Sequence, residues 1–156
     1  MTDRLPLTTA LAPAPLSSFS AGVRAGNIVQ VAGQGPLDAG SGTVLHPDDV
    51  GAQTTATLER VRDILRSGGA DVSDLIMLRV YLTDRSHFAP MNSAYEEFMA
   101  THLGDGVPPA RTTVMVGLPL DEMLVEIDAL AVLTDDQSSN HTAESQEIPD
   151  RIGEAR

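Results

Sequence analysis

Cysteine is absent from the 156-residue chain, and lysine is absent with it. The first absence removes disulfides, thiolate metal sites and thiol nucleophiles. The second removes a lysine Schiff base, and so the usual attachment of pyridoxal phosphate. Basic charge is scarce in general. Ten arginines face 22 acidic residues, for a formal net charge of −12. That balance argues against a nucleic-acid partner, whose phosphates call for a basic footprint. No apolar run reaches the ~20 residues of a membrane span. The segment from Leu5 to Pro15 is broken by proline and makes a poor signal peptide. A cytoplasmic protein without membrane or nucleic-acid partners is therefore expected. The histidines, at 46, 87, 102 and 141, lie far apart without ligand spacing, so no metal site is expected. Gly33-Gln34-Gly35-Pro36 is no dinucleotide fingerprint, and no nucleophile elbow occurs.

A chain of this length fits one domain with a core of its own. Residues 1–134 read as that domain and 135–156 as an acidic tail with little apolar content and no period. One short edge strand fits between Asp3 and Pro15. Ser17–Val23 and Ile28–Ala32 follow as strands joined by a turn at Arg24-Ala25-Gly26-Asn27. After Pro47, Asp48 or Asp49 can cap a helix whose stripe is Val50, Thr54, Leu58, Val61 and Leu65. Gly68-Gly69 would end it. Leu75–Leu82 reads as a strand with Ile76, Leu78, Val80 and Leu82 on one face. A second helix runs from about Phe88 to Leu103, with Met91, Tyr95, Phe98 and His102 along its apolar stripe. Two further strands close the order β-β-β-α-β-α-β-β. That is an α+β fold with a mostly antiparallel six-stranded sheet and two helices packed on one face.

The last two strands carry the candidate chemistry. Alternation puts Arg111, Thr113 and Met115 on one face of the first, and Glu126 and Asp128 on one face of the second. A hairpin centred between Leu118 and Pro119 would set Arg111 directly across from Glu126. Two readings of that pair stand side by side. One is a solvated surface ion pair of little energetic worth. The other is an arginine gripping a substrate carboxylate, with a glutamate beside it to handle a water.

Several segments in this order resemble the Rid family, also called YjgF/YER057c/UK114. They are Gly26-Asn27-Ile28-Val29 leading to Gly33-Gln34-Gly35-Pro36, the helix from Gln53 to Leu65, and Val80-Tyr81-Leu82-Thr83-Asp84. Phe88 to Tyr95, Pro109-Ala110-Arg111 and Glu126-Ile127-Asp128-Ala129 complete the set. The resemblance implies a chorismate-mutase-like fold, assembled as a homotrimer with clefts between subunits. It also implies hydrolysis of 2-imino and enamino acids to 2-oxo acids and ammonia, without a cofactor. Arg111 then matches the arginine that binds the substrate carboxylate, Glu126 the glutamate that positions water, and Asn92 an asparagine at or near the cleft.

Three positions depart from the deaminase pattern. Phe19 stands for a tyrosine, Ala32 for a serine and Thr113 for a cysteine. Threonine supplies the same backbone groups as cysteine. The other two changes remove hydroxyls from the substrate-binding cleft. They leave room for a non-catalytic, ligand-binding trimer, or for a deaminase of a particular catabolic or biosynthetic intermediate. An endoribonuclease role fits poorly with the acidic surface.

Overall fold

The computed structural model describes residues 3–12, 15 and 18–134. The expected tail at 135–156 lies outside the described residues. Six strands form one mixed sheet: β1 (Arg4–Leu7), β2 (Gly22–Ala25), β3 (Ile28–Gln34), β4 (Leu75–Leu82), β5 (Ala110–Met115) and β6 (Val125–Val132). Two α-helices, α1 (Val50–Ser67) and α2 (Phe88–His102), cover one face.

Helix α1 starts and stops where its sequence says it should. Asp49 is the N-cap, accepting from the Ala52 amide at 2.9 Å and so satisfying one of the free donors of the first turn. Gly69, at φ 84°, turns the chain out of the helix in a conformation that glycine takes without a steric penalty. The whole expected stripe, Val50, Thr54, Leu58, Val61 and Leu65, is buried. Strands β2 and β3 form a hairpin with Ala25 paired to Ile28, so the turn narrows to Gly26-Asn27. β2 starts later than expected and β3 runs two residues further, to Gln34.

The strand order is β1-β2-β3-β6-β4-β5. β6 is antiparallel to β3 and β4, while β4 and β5 run parallel. This corrects the expected hairpin between the last two strands, because β4 lies between them. Leu78, Val80 and Leu82 are fully buried, so β4 gains most from an interior position paired on both edges. β5 has no buried residue and takes the edge. Its parallel pairing to β4 requires a long crossover, which α2 supplies.

The helix-covered face is apolar at its centre. Val29 and Val31 from β3, Leu78, Val80 and Leu82 from β4, and Val125, Ile127, Ala129 and Ala131 from β6 are all 0% exposed. Each larger side chain contributes about 1.5–3 kcal/mol on burial. A register shift between Leu75 and Met77 turns Leu75 inward and leaves Ile76 at 48% exposure, which corrects its expected place on the core face. The opposite face bears Ile28, Gln30 and Ala32 of β3, Arg79 and Tyr81 of β4, and Glu126 and Asp128 of β6, and among the described residues no helix covers it.

Gln53, fully buried in α1, ties the core to the loops around it. Its Nε2 donates to Glu122 O at 2.8 Å and to His46 O at 3.2 Å, and its Oε1 accepts from Leu124 N at 2.8 Å. Gln53→Leu keeps the volume and leaves these three groups without their partner. With about 1–3 kcal/mol for each buried polar group left unpaired, the variant should lose at least ~2 kcal/mol of stability in urea unfolding. A change within about 0.5 kcal/mol would show that water replaces those bonds.

Candidate functional site

Arg111 and Glu126 point to opposite faces of the sheet. Arg111 pairs with Leu78, a core residue, and so shares the helix-covered face. Glu126 pairs with Tyr81 on the uncovered face. One chain therefore holds two candidate half-sites, one on each side of its sheet.

The arginine half-site is built by α2 across the edge strand. Positions 88, 92 and 95 fall on one side of that helix, the side turned toward β5. The Arg111 guanidinium sits 4.5 Å from the centroid of the Tyr95 ring and 6.0 Å from that of Phe88. Its Nη2 donates to Asn92 Oδ1 at 2.8 Å, and Asn92 Nδ2 in turn donates to Glu96 Oε1 at 2.7 Å. Asn92 thereby presents its oxygen to the guanidinium in a fixed orientation. Among the described residues no carboxylate forms a salt bridge with Arg111, so the surface ion pair with Glu126 does not exist within the chain. A guanidinium held by an aromatic face and one amide keeps donors free for a carboxylate ligand. Thr113 lies two residues on, half-buried on the same face and paired with Val80.

The glutamate half-site is built by the β3–β6 ladder. Between Val31 and Gln34 the register of β3 shifts, which leaves Gly33 facing Glu126. A Cβ on Gly33 would overlap Glu126 Oε1 and push the carboxylate aside, so glycine here lets the carboxylate rest against the β3 backbone. Ala32 precedes it, its amide donating to Ala21 O at 2.9 Å. Phe19 lies just before β2 and is 60% exposed. Burial first, and then the neighbouring charge of Asp128, raise the Glu126 pKa above the ordinary carboxylate value. Among the described residues no cluster of three or more metal-ligating side chains forms, and no helix is long and apolar enough to cross a membrane.

The structure thus brings Arg111, Asn92 and Thr113 to one side of the sheet, and Glu126 and Ala32 to the other. Tyr95 was expected in the core, and its second role under the guanidinium was missed. The spacing Phe88, Asn92, Tyr95 carried the signal, since it aligns two aromatic rings with the asparagine. Gly33 was also missed, because a close approach leaves no mark on the sequence beyond the glycine itself.

The family model described as Endoribonuclease L-PSP matches residues 9–133. The chain belongs to the Rid (YjgF) family. A 2-iminobutanoate/2-iminopropanoate deaminase of Salmonella typhimurium is 35% identical over 126 residues, which are 81% of this chain and 95% of that protein. A RutC family protein of Pyrococcus horikoshii is 36% identical over 120 residues, 77% of this chain and 90% of its own. Among solved structures, the YjgF gene product of Escherichia coli superposes with a TM-score of 0.74 at 35% identity, covering 82% of this chain and 98% of that one. Escherichia coli TdcF with bound serine gives 0.75 at 33% identity, covering 83% and 99%. The six-stranded sheet with two helices is thus the chorismate-mutase-like fold of this Rid protein's relatives.

Two tyrosines and no tryptophan make the phenol titration of this Rid protein directly readable by ultraviolet absorbance. Tyr95 is raised above 10 by burial, partly offset by the Arg111 charge. Tyr81 is raised by the hydrogen bond it donates to Asp128, then by burial. A raised acid favours the folded state below its unfolded pKa near 10 and loses that contribution as pH climbs through the folded value. Both phenols should therefore ionise above pH 10, with stability falling across the same range. Arg111→Met should push Tyr95 higher and Asp128→Asn should bring Tyr81 down. Ionisation of both at the free phenol value would contradict the two environments.

Proposed function

We propose that this Rid protein hydrolyses 2-imino or enamino acids to 2-oxo acids and ammonia, in clefts between the subunits of a homotrimer. The observation that carries the reading is that each half-site is incomplete alone. Among the described residues, a guanidinium without a counter-ion lies on one face of the sheet, and a carboxylate without a counter-ion, its pKa raised, lies on the other. A site that uses both must take Arg111 from one copy and Glu126 from the next. The uncovered sheet face, with Ile28 at 46% and Val114 at 41% exposure, is the surface such an assembly would bury.

In this reading Arg111 holds the substrate carboxylate through paired N–H donors, and Asn92 and Tyr95 fix the angle of approach. Glu126 accepts a proton from water as the oxygen attacks the imine carbon. That proton passes to the nitrogen. Glu126 then takes the second one from the hydroxyl of the tetrahedral adduct, and the C–N bond breaks as the carbonyl forms and the nitrogen, carrying both protons, leaves as ammonia. Imine hydrolysis is intrinsically easy, so positioning and one basic carboxylate suffice. Support comes from relatives named as imine deaminases, and from a relative whose structure holds serine, itself a small amino acid with a carboxylate. Phe19 and Ala32 give the cleft fewer hydroxyls than the deaminase pattern, which favours a more apolar substrate. The same two residues favour the second reading, a trimer that binds a 2-oxo acid without turning it over.

Light scattering should give a trimer mass. The wild-type protein should speed ammonia release from imino acids generated in place by an amino-acid oxidase. Arg111→Ala should abolish the rate, and Glu126→Gln should slow it by roughly 10²–10⁴-fold while ligand binding persists. Mixing these two inactive variants under conditions of subunit exchange decides where the site lies. Random exchange leaves about one cleft in four with both groups intact, so about a quarter of the wild-type rate should return. No recovery in demonstrably mixed trimers would reject the shared cleft. Binding of 2-oxo acids without acceleration on any imino acid would favour the ligand-binding reading.

A further inference from the structure

Glu126 and Asp128 lie two residues apart on β6 and so share the uncovered face, about 6.6 Å apart by the rise of a strand. Their surroundings differ sharply. Register sets Arg79 opposite Asp128 and Tyr81 opposite Glu126. Arg79 Nε donates to Asp128 Oδ1 at 2.7 Å, and the Tyr81 hydroxyl leans across to donate to Asp128 Oδ2 at 2.8 Å. Both oxygens of Asp128 are therefore engaged, and its side chain is 13% exposed against 45% for Arg79. Glu126 receives no such partner among the described residues and rests its carboxylate against Gly33.

A cross-strand ion pair with a half-exposed arginine contributes little to stability. Its place is more telling than its strength. The tyrosine that stands opposite Glu126 spends its hydroxyl on the other carboxylate, so the cluster separates two acids that would otherwise be equivalent. We propose that Arg79 and Tyr81 are positioning residues that clamp Asp128 beside Glu126, so that the charge of Asp128 acts on Glu126 and only Glu126 of the two is left open to a water. This rests on the reading of Glu126 as the group that handles water.

The direction of the effect follows from the neighbours. On β6 the charged neighbour of Glu126 is Asp128, and on β4 the neighbours are Arg79 and the phenol of Tyr81. β3 adds Ile28, Gln30 and Ala32 on this face, none of them charged. Arg111 of a neighbouring copy would add a constant downward pull in the proposed trimer. Asp128 pushes the Glu126 pKa up, as burial does, and a carboxylate with a higher pKa is the better acceptor for a proton from water.

Two readouts on the full chain test the proposal: the Glu126 carboxyl titration by NMR on protein labelled at glutamate, assigned with Glu126→Gln, and the acid limb of kcat/KM. Asp128→Asn should lower both midpoints by about half a pH unit or more. Arg79→Gln leaves the charge of Asp128 unbalanced and should raise both, and Arg79→Lys should restore them. Movement of the two variants in the same direction, or no movement on Asp128→Asn, would overturn the proposal. Loss of a merely structural contact would lower the melting temperature without shifting the midpoints in opposite senses. The NMR titration stands apart from catalysis. Opposite shifts in a protein that hydrolyses no imino acid would uphold the clamp and reject the deaminase. An active enzyme whose midpoints stay fixed would do the reverse.

Discussion

β6 is hydrogen-bonded on both edges, to β3 and to β4, and it is the strand on which the remaining geometry depends. Four of its residues, Val125, Ile127, Ala129 and Ala131, are wholly buried beneath α1. With that face committed to the core, alternation leaves Glu126 and Asp128 no choice but the other. A slip of one residue would bury two carboxylates under a helix and expose the core residues. Burying charges without partners would cost several kcal/mol each. The register is thus held by hydrophobic burial, and the placement of both acids follows from it.

The same ladder decides what the arginine can meet. With β4 between β5 and β6, Arg111 takes its side of the sheet from Leu78, and Glu126 takes the reverse side from its pairing with Tyr81. No rotamer carries either side chain through the sheet. The two groups can act together only if copies of the chain place unlike faces against each other. The aromatic ring under Arg111 holds the guanidinium in place without a carboxylate partner. On the other face the two acids differ, since Arg79 and Tyr81 occupy Asp128 while Glu126 has no side-chain partner among the described residues.

Local signals in the sequence read well wherever the physics is local. The Asp49 cap, the glycine stop and the five-residue stripe of α1 depend on neighbours within a turn or two, and each is found in place. The faces of β5 and β6 were legible for the same reason, since alternation needs no partner. Strand adjacency is a different matter. Arg111 and Glu126 looked like a cross-strand pair because nothing between them announces that β4, some thirty residues earlier, would intervene. Ile76 misled similarly, as a bulge is set by the pairing partner and not by the bulged residues. Tyr95 counted as core by its period and is indeed buried, yet its ring also faces Arg111. One side chain can satisfy both roles, and periodicity reports only the first.

Overall charge adds the last constraint. At −12 the chain repels small carboxylates at long range, so no favourable field steers them in. At physiological ionic strength that repulsion fades over about 8 Å, and recognition falls to whatever positive charge lies closer than that. Most other arginines near the sheet and helices are already spent. Arg24 is bound to backbone carbonyls, Arg60 to Gln34 and Leu37 O, Arg62 to Asp71, and Arg79 to Asp128. Arg111 is engaged instead by a neutral amide and two aromatic rings, which orient the guanidinium without cancelling its charge. In a chain so acidic, an arginine without a salt-bridged carboxylate among the described residues is what the proposed carboxylate site requires.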